Sequence, residues 1–242
     1  MKCHSLHWVY FVLGLVSIIA FARPSLAVPT VFFDRDNTTN FMTSYPNSQA
    51  EFNQFTASLS SFGVATIDNA VGPNPTLTFD GSTITAASGG VIAVPAAGFQ
   101  IGTQALLELD AAGPGQFDTS FTFNQYITGF GLYVIQGGDS QNNNPTTFRF
   151  SDTATNVFFD VPIQIGPGWG NDNAFFLGVG STVPFNQVTI IESIDTGDGM
   201  LYDNLVAGTA AVPEPSAMTL LAVGSLGICW YCIGRRNSKT GR

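Results

Sequence analysis

The chain has 242 residues, of which 45% are hydrophobic and only 10% are charged, and its formal net charge is −9. Residues 28–211 contain no Lys, His or Cys. Such an acidic body is a poor partner for nucleic acid, and it lacks the residues for a Ser-His-Asp triad, a cysteine nucleophile or a His/Cys zinc site. Paired carboxylates could still hydrolyse a glycoside, but acidic pairs also arise by chance, and we expect no enzymatic activity.

The N-terminal segment has the features of a secretory signal peptide. A positive residue near the start is followed by the apolar run 9–21 and by small residues that end at Ala27. Cleavage is expected between Ala27 and Val28. An uncleaved anchor helix is the alternative, although the run is short for a membrane span of about 20 residues. The sequence therefore predicts export, with residues 1–27 removed.

One helix is predicted near the start of the body. Ser48 and Glu51 fit a capping box, in which each side chain satisfies a backbone donor of the other residue. Gly63 is expected to end the helix. The apolar positions that recur at helical spacing and are expected to face the core are Phe52, Phe55, Leu59 and Phe62.

From Val64 onward the pattern is typical of short strands and turns. Residues 76–85 predict a hairpin with an Asp-Gly turn, and Gly129 and Gly131 indicate a bulge or close packing. The other predicted strands are 90–94, 99–101, 105–109, 117–123, 126–135, 147–150, 157–161, 175–179, 187–192 and 201–206. We therefore predict an all-β fold for residues 28–211, a jelly-roll-like β-sandwich of two sheets with one short N-terminal helix. A β-helix is the alternative, but no fixed-period repeat is present.

An acidic, glycine-punctuated turn suggests a calcium site. Asp195, Asp198 and Asp203 could supply carboxylate oxygens, which are the ligands that calcium prefers. The spacing does not match an EF-hand loop. The alternative is an ordinary solvated turn whose Asp side chains bond to their own backbone.

A second candidate site would bind a glycan. Trp169 lies between two glycines and is followed by Asn171 and Asp172, so an aromatic face and polar groups occur together. The alternative is that Trp169 folds inward over an edge of the sandwich, as large aromatic residues commonly do.

The C-terminal segment predicts a membrane span. Residues 216–234 are apolar and just long enough to cross a bilayer, and Arg235 and Arg236 follow directly. By the positive-inside rule, the basic tail 237–242 stays in the cytoplasm and the acidic body lies on the other side.

The same segment resembles a known sorting signal. A Val-Pro-Glu-Pro sequence, an apolar span and an Arg pair occur in the order of the PEP-CTERM sorting signal, which some naming schemes call an ice-binding protein C-terminal domain. The resemblance covers residues 212–236 and implies processing by an exosortase, a membrane protease-transpeptidase of Gram-negative bacteria that make extracellular polysaccharide. The residues that carry it are Val212, Pro213, Glu214, Pro215, Arg235 and Arg236.

Together these features predict an exported, non-enzymatic protein of the cell surface or the biofilm matrix. We expect it to be sorted by an exosortase and held at the membrane, transiently or stably, by its C-terminal helix. The alternative function is a carbohydrate-binding module for exopolysaccharide, and a glycosidase is the third reading. No cofactor is expected, apart from the calcium ion considered above.

Overall fold

The structure is a computed structural model that describes residues 28–37, 44–68, 70–89, 91–93, 103–107, 118–135, 146–163, 173–191 and 200–210. All of them belong to the first of two units into which the chain divides, Met1–Ala210 and Ala211–Arg242. The signal peptide and the C-terminal span fall outside the described residues, so their boundaries stay predictions. Within the described ranges no helix is long and apolar enough to cross a membrane.

The described residues form one helix and eleven strands, which pair antiparallel throughout. The all-β fold with one short helix is therefore confirmed. The helix is α1 (Pro46–Ser58). The strands are β1 (Thr30–Asn37), β2 (Leu59–Ala65), β3 (Thr76–Thr78), β4 (Thr85–Ser88), β5 (Val91–Ala93), β6 (Ala105–Leu107), β7 (Asp118–Ile135), β8 (Thr146–Asp152), β9 (Val157–Ile163), β10 (Asn173–Ile191) and β11 (Leu201–Ala210).

One antiparallel sheet makes both layers of the sandwich, because the long strands β7 and β10 run through the two layers. The first layer has the order β5–β6–β11–β7–β10–β1, with β2 beside β6 on the same edge of β11. The second has the order β3–β4–β7–β10–β8–β9. Phe121 and Phe130 both belong to β7, and in a straight strand they would lie about 30 Å apart. Their ring centroids are 5.5 Å apart, so the strand folds over.

The bend coincides with irregular pairing between β7 and β10. Their register passes from Thr122 opposite Gln187 to Ile127 opposite Phe185, and then to Gly129 opposite Gly180, so each strand carries extra residues on one side of the bend. Bulges of this kind sharpen strand bending. The predicted strands 117–123 and 126–135 are consequently one strand, and so are 175–179 and 187–192.

The main core lies between the two layers and is rich in phenylalanine. Phe150 stacks on Phe159 with centroids 5.0 Å apart, and Phe185 meets Phe150 edge-on at the same distance. Burial of such large rings supplies the dominant stabilising term in a domain without disulfides. The fully buried phenylalanines of this core are Phe79, Phe121, Phe130, Phe148, Phe150, Phe175 and Phe185.

Helix α1 covers the outer face of the first layer. Phe55 is completely buried and lies over Gly131 and Gly178, where a Cβ would come within 2.9 and 2.6 Å of the ring. The absence of side chains at these positions lets the helix approach the sheet. The close packing predicted at Gly131 is confirmed, and a Cβ at Gly129 would likewise lie 2.5 Å from Leu59.

The capping box predicted at the start of the helix is wrong. The helix begins at Pro46, and Ser48 is buried inside its first turn. Oδ1 and Oδ2 of Asp36, on β1, accept the backbone N–H groups of Asn47 and Ser48 at 3.1 and 2.8 Å. The free N–H groups of the first helical turn are therefore bonded by a side chain of strand β1, and not by a side chain of the helix itself.

The predicted end of the helix is also wrong. The helix stops at Ser58, and Leu59 begins β2, which pairs with β11. Leu59 is still buried, but Phe62 is 41% exposed. Gly63 lies inside the strand, where a Cβ would be 2.7 Å from the carbonyl oxygen of Asp80. The pairing of β2 with β11 overrides the helical spacing of the apolar residues.

A hairpin with an Asp-Gly turn forms as predicted, but its second strand begins at Thr85, whereas the sequence placed it at 82–85. Leu77 pairs with Ala86 across β3 and β4. Gly81 has a φ of +79°, which favours glycine, and Ser82 donates its N–H to the carbonyl of Phe79. The Asp-Gly turn therefore forms where the sequence indicates it.

Candidate functional site

The structure describes only two of the site residues predicted from the sequence, Val28 and Asp203. Val28 is 88% exposed and lies two residues before β1, so a cleavage there leaves the strand intact. The remaining predictions fall on residues that the structure does not describe. They are Ala27, Trp169, Asn171, Asp172, Asp195, Asp198, Val212, Pro213, Glu214, Pro215, Arg235 and Arg236.

Asp203 is fully buried in β11, where it lies opposite Tyr133. Its Oδ1 accepts the N–H of Asn204 at 2.7 Å, and Asn204 has a φ of 42° at an irregularity in the strand. Burial raises the pKa of Tyr45, and the negative charge of Asp203 raises it further. Within the described ranges no three potential ligands cluster as a metal site would require. The calcium site stays a prediction, because its other two residues fall outside the described residues.

An open groove at the bend of the sandwich is a candidate site among the described residues. Its volume is about 430 Å³, within the range of small-molecule sites. Three segments meet there: the irregular part of β7, the turn between β8 and β9, and the irregular part of β10. The lining residues are Tyr126, Asp152, Thr155, Val157, Val183 and Pro184.

The turn between β8 and β9 is organised by Asp152. Its Oδ1 accepts the N–H of Ala154 at 2.9 Å, and its Oδ2 accepts the hydroxyl of Thr155 at 2.6 Å. Asn156 closes the turn with a φ of 56°. The Thr155 hydroxyl and then the Tyr126 hydroxyl lower the pKa of Asp152, which keeps the carboxylate ionised at neutral pH.

Asn186 of β10 ties this turn to the neighbouring strand. Its Oδ1 accepts the N–H of Thr153 at 2.9 Å, and its Nδ2 donates to the Thr153 hydroxyl at 2.8 Å. In the bulged part of β10, the N–H of Val183 donates to Oγ of Ser181 at 3.0 Å. Two walls of the groove are therefore held by side-chain hydrogen bonds.

Tyr126 forms the third wall. Its side chain is 51% exposed, and its hydroxyl donates to Oδ1 of Asp152 at 2.8 Å. That hydrogen bond raises the pKa of Tyr126, so the phenol remains protonated. The groove thus offers a fixed aromatic ring, apolar side chains and two hydroxyl oxygens, and one carboxylate lies among its lining residues.

Sequence reasoning missed this groove, although two signals pointed to it. The alternation of apolar residues up to Phe123 breaks before Tyr126, which indicates a bulge. Asp152 is followed by Thr155 and Asn156 between two predicted strands, a pattern typical of an Asx turn. Neither signal shows that the two segments meet, because that depends on the bend of β7.

Comparison with known families identifies one segment of the chain. Residues 211–236 match the PEP-CTERM protein-sorting motif, which confirms the resemblance seen in the tail. The motif indicates export and sorting to the cell envelope of a Gram-negative-type bacterium, and it implies processing by an exosortase. No curated protein matches the sequence.

The similar solved structures include proteins that act on or bind carbohydrate. A mutant of the family 29 carbohydrate-binding module CBM29-2 is 14% identical, with a TM-score of 0.35, and the match covers 64% of this chain and 99% of that one. The catalytic domain of a GH87 alpha-1,3-glucanase in complex with tetrasaccharides is 16% identical, with a TM-score of 0.35. That match covers 64% of this chain but only 29% of the glucanase. The interpretation of the groove therefore depends on its own residues.

Proposed function

We propose that this is a non-enzymatic protein of the cell surface or extracellular matrix, which an exosortase sorts through the C-terminal signal. The observation that carries the proposal is the sorting motif at residues 211–236. Within it, Pro213 and Pro215 favour an extended backbone and remove two hydrogen-bond donors. Glu214 is then a single charge on an extended segment, which an enzyme cleft can bind as a strand.

Cell fractionation tests the sorting step. The full chain is produced in a host with an exosortase and in the same host lacking that enzyme. We expect surface or matrix material in the first and retention in the inner membrane in the second. In the host with the exosortase, Glu214→Ala should cause retention in the inner membrane, whereas Glu51→Ala, which removes a carboxylate from helix α1, should reach the surface like the unaltered chain. Equal surface display with and without the exosortase would contradict the proposal.

The groove supports a non-enzymatic role. Glycoside hydrolysis ordinarily uses two carboxyl groups, one of which must be protonated. Among the described residues that line the groove, Asp152 is the one with a carboxyl group, and its hydrogen bonds lower its pKa. Incubation of the full chain with the host's matrix polysaccharide should release no reducing ends. Release that is lost in Asp152→Asn would overturn this part of the proposal.

The second candidate function is a carbohydrate-binding module for exopolysaccharide. The exposed Tyr126 in a groove with hydroxyl groups favours it, since sugars combine an apolar face with polar edges. Co-sedimentation of the full chain with the host's exopolysaccharide tests this role. Trp169→Ala separates the two candidate surfaces: loss of binding would point to the 169–172 segment, and retention would point to the groove.

A further inference from the structure

We propose that the groove binds a neutral pyranose unit of a polysaccharide, with the C–H face of the sugar against Tyr126 and its hydroxyls donating to Tyr126 and Thr155. The proposal deepens the carbohydrate-binding role and rests on it. It names the residues that contact the sugar and the charge class of the ligand, and it does not depend on how the protein is sorted.

The apolar part of the groove matches one face of a sugar ring. Val157 and Val183 are exposed by 56% and 38%, and Pro184 lies beside them. Val157 is the first residue of β9. It lies on the face of the strand that is buried in the core at later positions, so Val157 is at the exposed edge of the core. Exposed apolar groups gathered around an aromatic ring indicate a binding surface more strongly than isolated ones do.

The polar part of the groove can accept hydrogen bonds from sugar hydroxyls. Tyr126 and Thr155 both donate their hydroxyl hydrogens to Asp152, at 2.8 and 2.6 Å. A hydroxyl that has donated its hydrogen still has lone pairs for accepting. Asp152 is therefore a positioning residue, which orients two acceptor oxygens toward the groove.

The charges around the groove select a neutral ligand. The described residues that line the groove include no Lys or Arg, and Asp152 is the charged one among them. Arg149 on β8 forms a bidentate pair with Asp160 of β9, with both N–O distances 2.9 Å. The formal net charge of the chain is −9. Uronic acids and sulfated sugars would be repelled by this field.

The groove is organised before the ligand arrives. Asn186 and Asp152 hold the β8–β9 turn, and the Asp152 hydrogen bond holds the Tyr126 ring. A binding site whose side chains are already ordered loses little conformational entropy when a ligand binds. Such a site can retain a sugar unit with few direct hydrogen bonds.

Isothermal titration calorimetry tests the proposal. The full chain is kept in a detergent that has no sugar head group. The probes are neutral glucan, mannan and galactan oligosaccharides, and matched uronate and sulfated ones. We expect binding of at least one neutral series and none of the acidic series. Tyr126→Ala should weaken the affinity about tenfold, the upper range for an aromatic contact. Phe158→Ala is the control, because Phe158 is 54% exposed on β9 but does not line the groove.

Tyr126→Phe distinguishes loss of the contact between sugar and ring from a folding defect, because it keeps the ring and removes the hydroxyl. It should recover most of the affinity that Tyr126→Ala loses. Absence of binding to every neutral series, preference for acidic glycans, or unchanged affinity in Tyr126→Ala would each overturn the proposal. Binding that depends on Trp169 and not on Tyr126 would also overturn it, while leaving the carbohydrate-binding role in place.

Discussion

The Asp36 carboxylate on β1 accepts the backbone N–H of Ser48, in the first turn of α1, at 2.8 Å. The contact is buried, because Asp36 is only 4% exposed. Its removal leaves two N–H groups of the helix without an acceptor. We predict that Asp36→Ala lowers the free energy of unfolding by about 1–2 kcal/mol, the range of strong N-cap losses. Urea denaturation measures the change.

Asp34→Ala is the matched control for this cap. Asp34 lies on the same strand, but its exposed carboxylate accepts the adjacent N–H of Arg35, at 2.7 Å, rather than an N–H of the helix. The expected change is within about 0.5 kcal/mol. Equal losses in Asp34→Ala and Asp36→Ala would show that the cap is not the stabilising feature.

The same contact explains why the start of the helix was mispredicted. Ser48 and Glu51 match a local capping pattern, and local patterns cannot include an acceptor that arrives from another strand. At the other end of the helix, Leu59 and Phe62 continue the helical spacing of apolar residues, but this segment pairs with β11 and is a strand of the sheet. Secondary-structure type was predictable where the period was clear, and boundaries were decided by tertiary partners.

Gly178 and Gly180 lie on the same strand but differ in the space beside them. A Cβ at Gly178 would be 2.6 Å from Cγ of Phe55, whereas a Cβ at Gly180 would meet Cβ of Ala210 at an ordinary contact distance of 3.9 Å. We predict that Gly178→Ala lowers the free energy of unfolding by about 1–3 kcal/mol through overpacking.

Gly180→Ala should be neutral or stabilise by up to about 1 kcal/mol, since it restricts the unfolded chain. Thermal melting of both variants compares them directly. A loss in Gly180→Ala as large as that in Gly178→Ala would contradict the account of how Phe55 packs against the sheet.

Asp68 joins two distant segments. Its Oδ1 accepts the N–H and the hydroxyl of Thr103 and the N–H of Gln104. The N–H of Thr103 is the largest cause of the lowered pKa of Asp68. A lowered folded-state pKa means that the stabilisation is complete above the unfolded pKa of about 3.9 and is lost as the pH falls toward the folded value.

The corresponding measurement is stability against pH in wild type and Asp68→Asn. The variant should be less stable at neutral pH, and the difference should shrink below about pH 4. A difference that stays constant down to strongly acid pH would argue against the ionised carboxylate as the cause.

The ion pair between Arg149 and Asp160 should contribute little. Its side chains are 40% and 34% exposed, and solvent screens pairs at such positions. We predict that Asp160→Asn lowers the free energy of unfolding by less than about 1 kcal/mol, and that added salt reduces the difference. A salt-independent loss of several kcal/mol would contradict this.

The candidate groove was less predictable than the fold. The Phe-rich alternation around Phe121 and Phe123 is visible in the sequence, and it predicts strands that bury one face. The meeting of Tyr126 with Asp152 depends on the bend where β7 and β10 both change register. That bend is a property of two paired strands, which one-dimensional periodicity does not encode.

The intact mass of the chain recovered from the cell surface tests most directly the claim that the protein is exported and sorted by an exosortase. One mass measurement shows at which residues the mature chain begins and ends. The account predicts a chain that begins at Val28 and has lost the basic end of the sorting motif, including Arg235 and Arg236. In a host without the exosortase, the chain retained in the inner membrane should keep this basic end. A surface-displayed chain that keeps residues 1–27, or the complete tail in the presence of the enzyme, would contradict it.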